Sequence, residues 1–257
     1  MAARTASGLL RVAGAMPGTD AGESDDALAP LNPVGRRTVQ DSVYDELRRS
    51  LIQGLFDPGE VLRIVDVSNR LGTSTMPVRE ALARLISEQA LEAMPNRSVR
   101  VPLISRDRLE DLARARALIE SEVIALAMPN VTDALVEDLV RLTDACDAVL
   151  ATRGREISGE AADLNHAFHF TLYRAAGSQV MIPIIESLWL QSGPYLRASA
   201  RLFDAAVDRS ATHFHREIIE AVTRRDTPGA QAALRADIGR AFDILRKHLT
   251  ETGEEAQ

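Results

Sequence analysis

The sequence predicts a mainly α chain: an N-terminal winged helix-turn-helix followed by a C-terminal six-helix all-α bundle. Three observations carry this. Two short stretches with apolar residues three and four apart end at Pro58-Gly59 and at Gly72. A Gly72-Thr73-Ser74 turn then leads into a third amphipathic stretch, and two short β-prone runs flank Pro95-Asn96-Arg97-Ser98. From Ser105 onward the periodicity is helical to the end.

Residues 1–38 are rich in Ala, Gly, Ser, Asp and Pro without periodicity and read as a disordered tail, and residues 251–257 as a short C-terminal tail. The head is expected over 39–104 and the helical domain over 105–250. The first helix fits Val43, Leu47, Leu51, Ile52 and Leu55, closed by Gly54 and Pro58-Gly59. A short second helix fits Val67 and Leu71, closed by Gly72. The third begins near Ser74, a residue type suited to an N-cap, with Pro77 in the first turn where a missing N–H costs little. Its inward stripe is Val78, Leu82, Leu85 and Ile86. Strands are expected at about 91–94 and 99–101.

Six apolar stripes follow: Leu109/Leu112/Ile119/Val123, Leu135/Leu139/Leu142/Cys146/Val149, Phe168/Leu172/Ala176, Ile184/Ile185/Leu188/Trp189, Ile218/Ile219/Val222 and Leu234/Ile238/Ala241/Leu245. Pro129-Asn130, Gly154, Gly177-Ser178, Gly193-Pro194 and the run from Asp226 to Gly229 are the expected turns between them.

Hydrophobic residues make up 46% of the 257, enough for real cores. No apolar run approaches the ~20 residues of a membrane span, and the opening segment lacks the apolar stretch of a signal peptide. A single cysteine, Cys146, excludes an internal disulfide framework and fits a reducing, cytoplasmic setting. Its place in an apolar row marks it as a small core residue. The net charge of −7 runs against nucleic-acid binding; its distribution removes the acidity from the head but leaves it near neutral, without a basic footprint. Residues 36–105 carry ten Arg against nine Asp and Glu, so the acidity lies outside the head.

Thr75 and Arg79, four apart, share one face of the third helix, opposite Val78, Leu82 and Leu85. A hydroxyl and a guanidinium at a helix N-terminus suit phosphate and guanine contacts in the major groove of double-stranded DNA. Arg97 sits at the hairpin tip, placed to reach the backbone or minor groove.

The helical domain has polar residues where its stripes should be apolar. Asn165 and His169 fall on the face of Phe168 and Leu172, His215 on the row of Ile218 and Val222, and Asp237 in the row of Leu234 and Ile238. Burying any one without a partner costs about 1–3 kcal/mol. Two imidazoles, an amide oxygen and a carboxylate form a borderline set suited to Zn²⁺, Ni²⁺ or Mn²⁺. Arg116 lies on an apolar face with Glu120 at i+4. It reads either as a buried ion pair or as a fork for an effector carboxylate. His166 and His213 fall off the apolar rows and are expected to be exposed. Trp189 and Tyr195 fit either a pocket or the core.

Val43 to Arg48, Gly54, Pro58-Gly59, Leu71-Gly72, Ser74 and Pro77-Val78-Arg79-Glu80-Ala81-Leu82 resemble the GntR-family winged helix. By position, the resemblance implies DNA contacts from Ser74, Thr75 and Arg79. Thr75 stands where the family often has Arg, and Ser98 where a wing glycine is usual. Arg116 to Glu120, Asn165 to His169, Ala175 to Gly177, His215 to Ile218 and Arg225-Asp226 resemble the FCD effector domain of the FadR-type subfamily. That likeness implies metal ligands at Asn165, His169, His215 and Asp237, the last in place of a usual His. It also implies a small carboxylate effector that coordinates the metal.

The function expected is a homodimeric, ligand-responsive DNA-binding regulator, a repressor, on a pseudo-palindromic operator. Effector binding would act on the reading heads through the linker at 103–105. A metal-dependent all-α hydrolase or lyase, and a ligand-free DNA-binding protein, are the competing readings.

Overall fold

The computed structural model describes residues 38–95, 98–153, 159–202 and 211–252. The expected N-terminal tail to residue 37, the turn at Gly154 and residues 253–257 lie outside them, as do Asn96 and Arg97.

Helix α1 (Val39–Ile52) starts with a capping box: Thr38 accepts from the Asp41 N–H, and Asp41 accepts from the Thr38 N–H. It buries Val43, Tyr44, Leu47, Leu51 and Ile52. Gly54 follows in the left-handed region, φ 63°. Strand β1 (Val61–Leu62) leads into α2 (Ile64–Leu71), which Gly72 ends at φ 61°. Helix α3 (Thr75–Ser87) buries Val78, Ala81, Leu82 and Leu85 against α1 and α2. Strands β2 (Glu92–Ala93) and β3 (Val99–Arg100) form an antiparallel pair, and β1 adds to the far side of β3. The third strand was not expected. Two residues carry no period, and only Val61 pairing with Arg100 and Leu62 with Val99 identify it.

The helical domain comprises α4 (Arg106–Ala127), α5 (Asp133–Arg153), α6 (Gly159–Arg174), α7 (Met181–Leu202), α8 (Ala211–Thr223) and α9 (Thr227–Thr252). Ser105 caps α4 by accepting from the Arg108 N–H. Helix α9 reaches two residues into the segment expected as a C-terminal tail.

The expected turn at Gly193-Pro194 is corrected: both residues lie inside α7. Pro194 removes one helical N–H, yet the helix continues because tertiary contact outweighs that local loss. Gly193 lies against the α1 backbone, where a Cβ would sit 1.8 Å from the Leu51 carbonyl oxygen. The glycine marks close helix contact rather than a bend. Around it, Arg48 pairs with Glu186 at 3.2 Å. Gln53 donates to Asp163 at 2.7 Å, and Arg197 donates to the Gly54 carbonyl at 2.8 Å and to Asp57. The head is thereby docked on α7 and α6.

Candidate functional site

Helix α3 turns its apolar stripe inward, which leaves Ser74, Thr75, Met76, Arg79 and Glu80 exposed along the opposite face. No carboxylate among the described residues pairs with Arg79, so its guanidinium faces solvent. Ser74 holds the N-cap position with extended backbone, but its side chain makes no capping hydrogen bond. The first N–H groups of α3 therefore lack the partner that an N-cap side chain normally supplies. Sequence reasoning passed over Met76, which is 62% exposed on this face. Its signal was available: a large apolar residue one position from Thr75, off the buried stripe. Arg97 lies outside the described residues.

Asn165, His169, His215 and Asp237 come together from α6, α8 and α9. Donor atoms of His169, His215 and Asp237 lie within 4.8 Å of one another, and all three residues are buried. His169 Nε2 is 3.1 Å from Asp237 Oδ2, and His215 Nε2 is 3.1 Å from Asn165 Oδ1. Phe168 stacks on the His215 ring, centroids 3.8 Å apart, which fixes its plane. His215 Nδ1 and Asp237 Oδ1 are buried with no hydrogen-bond partner among the described residues. Orphaned polar atoms on two members of one mixed N/O donor set fit a borderline divalent cation. Burial, and then neighbouring His169, push His215 down to about 3. For Asp237, burial works to raise the carboxyl, but the hydrogen bond and charge of His169 carry it down to about 2. The site thus favours neutral imidazole at His215 beside an ionised carboxylate, the forms that bind metals.

Beside this cluster the Arg116 side chain is 4% exposed and Glu120 is fully buried. Arg116 Nε donates to Glu120 Oε1 at 2.7 Å, so the guanidinium is engaged by the ion pair, not open as a carboxylate fork. Opening it would strand a buried carboxylate, at a cost of several kcal/mol. The Trp189 indole N–H and the Tyr173 hydroxyl also donate to Glu120. Tyr173 was missed, although Asn165, His169 and Tyr173 form one i, i+4, i+8 row. Trp189 joins the network rather than standing only as core, and Tyr195 is buried.

His166 is corrected: it is half-buried, stacked on Phe170 at 4.1 Å and edge-on to Trp189 at 5.4 Å. Packing of α7 over α6 covers it, and burial with help from Arg48 pushes it down to about 4. His213 is exposed and pairs with Glu217, as its place off the rows implied.

Comparison with known proteins agrees with this architecture. The family described as "Bacterial regulatory proteins, gntR family" matches residues 39–101, and the FCD domain matches residues 111–240. The Escherichia coli HTH-type transcriptional regulator McbR is 27% identical over 192 residues, 75% of this chain and 86% of McbR. The E. coli HTH-type transcriptional repressor GlaR is 27% identical over 211 residues, 80% of this chain and 90% of GlaR. The solved structure of E. coli McbR/YncC superposes with a TM-score of 0.75 at 25% identity, covering 83% of this chain and 99% of that one. The protein belongs to the gntR family of bacterial regulatory proteins, DNA-binding regulators of transcription, and carries a C-terminal FCD domain.

Proposed function

We propose that this regulator is a homodimeric repressor that senses a small organic acid through a divalent metal in its helical domain. The observation that carries the proposal is the convergence of Asn165, His169, His215 and Asp237, with donor atoms of the last three within 4.8 Å of one another and all three residues buried. Zn²⁺, Ni²⁺ or Mn²⁺ suits the donors, and would supply a Lewis-acidic centre for oxygen ligands. A divalent ion held by one carboxylate and three neutral donors keeps a net positive charge, which favours an anionic effector. Arg240 strengthens that preference. It lies 4.0 Å from Asp237, and its buried Nε has no hydrogen-bond partner among the described residues.

At the other end, Ser74, Thr75 and Arg79 present phosphate- and base-reading groups to one major groove, with Arg97 as the wing's contact. Two copies would read a pseudo-palindromic operator in the cytoplasm. Among the described residues no helix is long and apolar enough to cross a membrane. The signal has two routes: the linker at 103–105, and α7. Trp189, within the Glu120 network, lies one turn from Gly193, which touches α1 of the head. The effector shifts the balance only by its differential affinity for the two arrangements.

Elemental analysis of the purified protein tests the metal. One divalent ion per chain is expected, and the His169→Ala/His215→Ala variant should hold none. Stoichiometric metal in that variant would place the site elsewhere.

A further inference from the structure

Glu120 has no exposed surface, yet three side chains donate to it. Arg116 Nε lies 2.7 Å from Oε1, the Tyr173 hydroxyl 2.6 Å from Oε2 and the Trp189 indole N–H 3.1 Å from Oε2. A carboxylate facing a buried guanidinium is acceptor-only, so the one hydroxyl proton of Tyr173 is committed to Glu120. The Tyr173 oxygen also lies 3.2 Å from His169 Nδ1. With its proton spent, that oxygen can only accept, and His169 must donate from Nδ1. The opposite ring nitrogen, Nε2, is the donor to Asp237 Oδ2 at 3.1 Å, and a bound cation would take the place of that proton.

We infer that Tyr173, held by Glu120, is a positioning residue for the metal centre: it keeps His169 in the Nδ1–H form and turns the Nε2 lone pair toward the cation. The inference rests on the metal reading above. In water the two neutral imidazole forms interconvert freely, and a buried ring in the wrong form would present an N–H to the ion. With a cation in place of the Nε2 proton, the relay keeps the remaining proton on Nδ1. It also accounts for the buried Arg116–Glu120 pair: Arg116 holds the carboxylate, Glu120 accepts the hydrogen bond of the Tyr173 hydroxyl, and Tyr173 orients His169. Three helices, α4, α6 and α7, meet in this one chain of donors. A hydrogen bond from the far nitrogen of a ligating histidine is what metal sites commonly use to fix the ring and raise its basicity.

The test is Zn²⁺ affinity of the full chain, measured by competition with a chromophoric chelator, in the native protein and in Tyr173→Phe. Phenylalanine keeps the ring and removes only the hydroxyl. The variant should bind Zn²⁺ about 10–100-fold more weakly. Affinity within about twofold of the native protein would overturn the positioning role and leave the metal reading standing. Failure of the native protein to bind any of Zn²⁺, Ni²⁺ and Mn²⁺ would overturn both. A long-range ¹H–¹⁵N spectrum of the Zn²⁺-loaded native protein gives the answer without a variant. His169 should carry its proton on Nδ1 with Nε2 on the metal, and the reverse assignment would sink the relay.

Discussion

Arg79 and Arg116 are the same residue type in two regions with opposite surroundings. On α3, Arg79 is exposed and no carboxylate among the described residues pairs with it. In α4, Arg116 is buried and held by Glu120 at 2.7 Å. The head displays polar groups that its own fold does not use, and the proposed function assigns them to DNA. The helical domain hides its polar groups, so each must be matched from within or by a bound ion. The difference teaches how to separate the two: an arginine kept for DNA costs the fold nothing when removed, whereas an interior one takes its neighbours with it.

The largest expected effect breaks the interior side. Glu120→Ala leaves Arg116 buried without its counter-charge and should destabilise the chain by about 3–5 kcal/mol, read by urea unfolding. Unchanged stability would mean that Arg116 has another partner. Next comes the contact between the two regions. Gly193→Ala drives a Cβ into the Leu51 carbonyl and should cost about 1–3 kcal/mol or separate the head from α7, a loss visible in the thermal midpoint. An unshifted midpoint would show that α1 and α7 are less closely packed than described.

Arg79→Ala sharpens the surface side. Operator affinity in a gel-shift or fluorescence assay should fall by about 1–3 kcal/mol, while stability stays within about 0.5 kcal/mol. Identical affinity would remove α3 as the reading helix. The smallest effect is local to the head. Thr38→Ala removes the capping box of α1 and should lower stability by about 1 kcal/mol, read by the same urea unfolding.

The α3 face was readable because helical period is a local property: Val78, Leu82 and Leu85 face inward, which leaves Thr75 and Arg79 outward. The same logic found Asn165 and His169, four residues apart, then His215 and Asp237, as polar residues on apolar rows. Their meeting is long-range, as in the contact between Asn165 and His215, fifty residues apart. The Gly193-Pro194 dipeptide misled for the opposite reason. Its residue types signal a turn, but the reason for the glycine is the Leu51 carbonyl of a different helix.

By itself the sequence determined the helical order, the outward face of α3 and the polar residues that interrupt the interior rows. Each follows from spacing within a few turns of one helix. Tertiary structure alone decided that Arg116 is spent on Glu120, that β1 joins the wing, that α7 runs unbroken beneath the head, and that Tyr173 stands behind His169. Those outcomes depend on which faces of different helices meet. Tyr173 and Glu120 are 53 residues apart, and no local periodicity records which side chain fills the space opposite a buried charge.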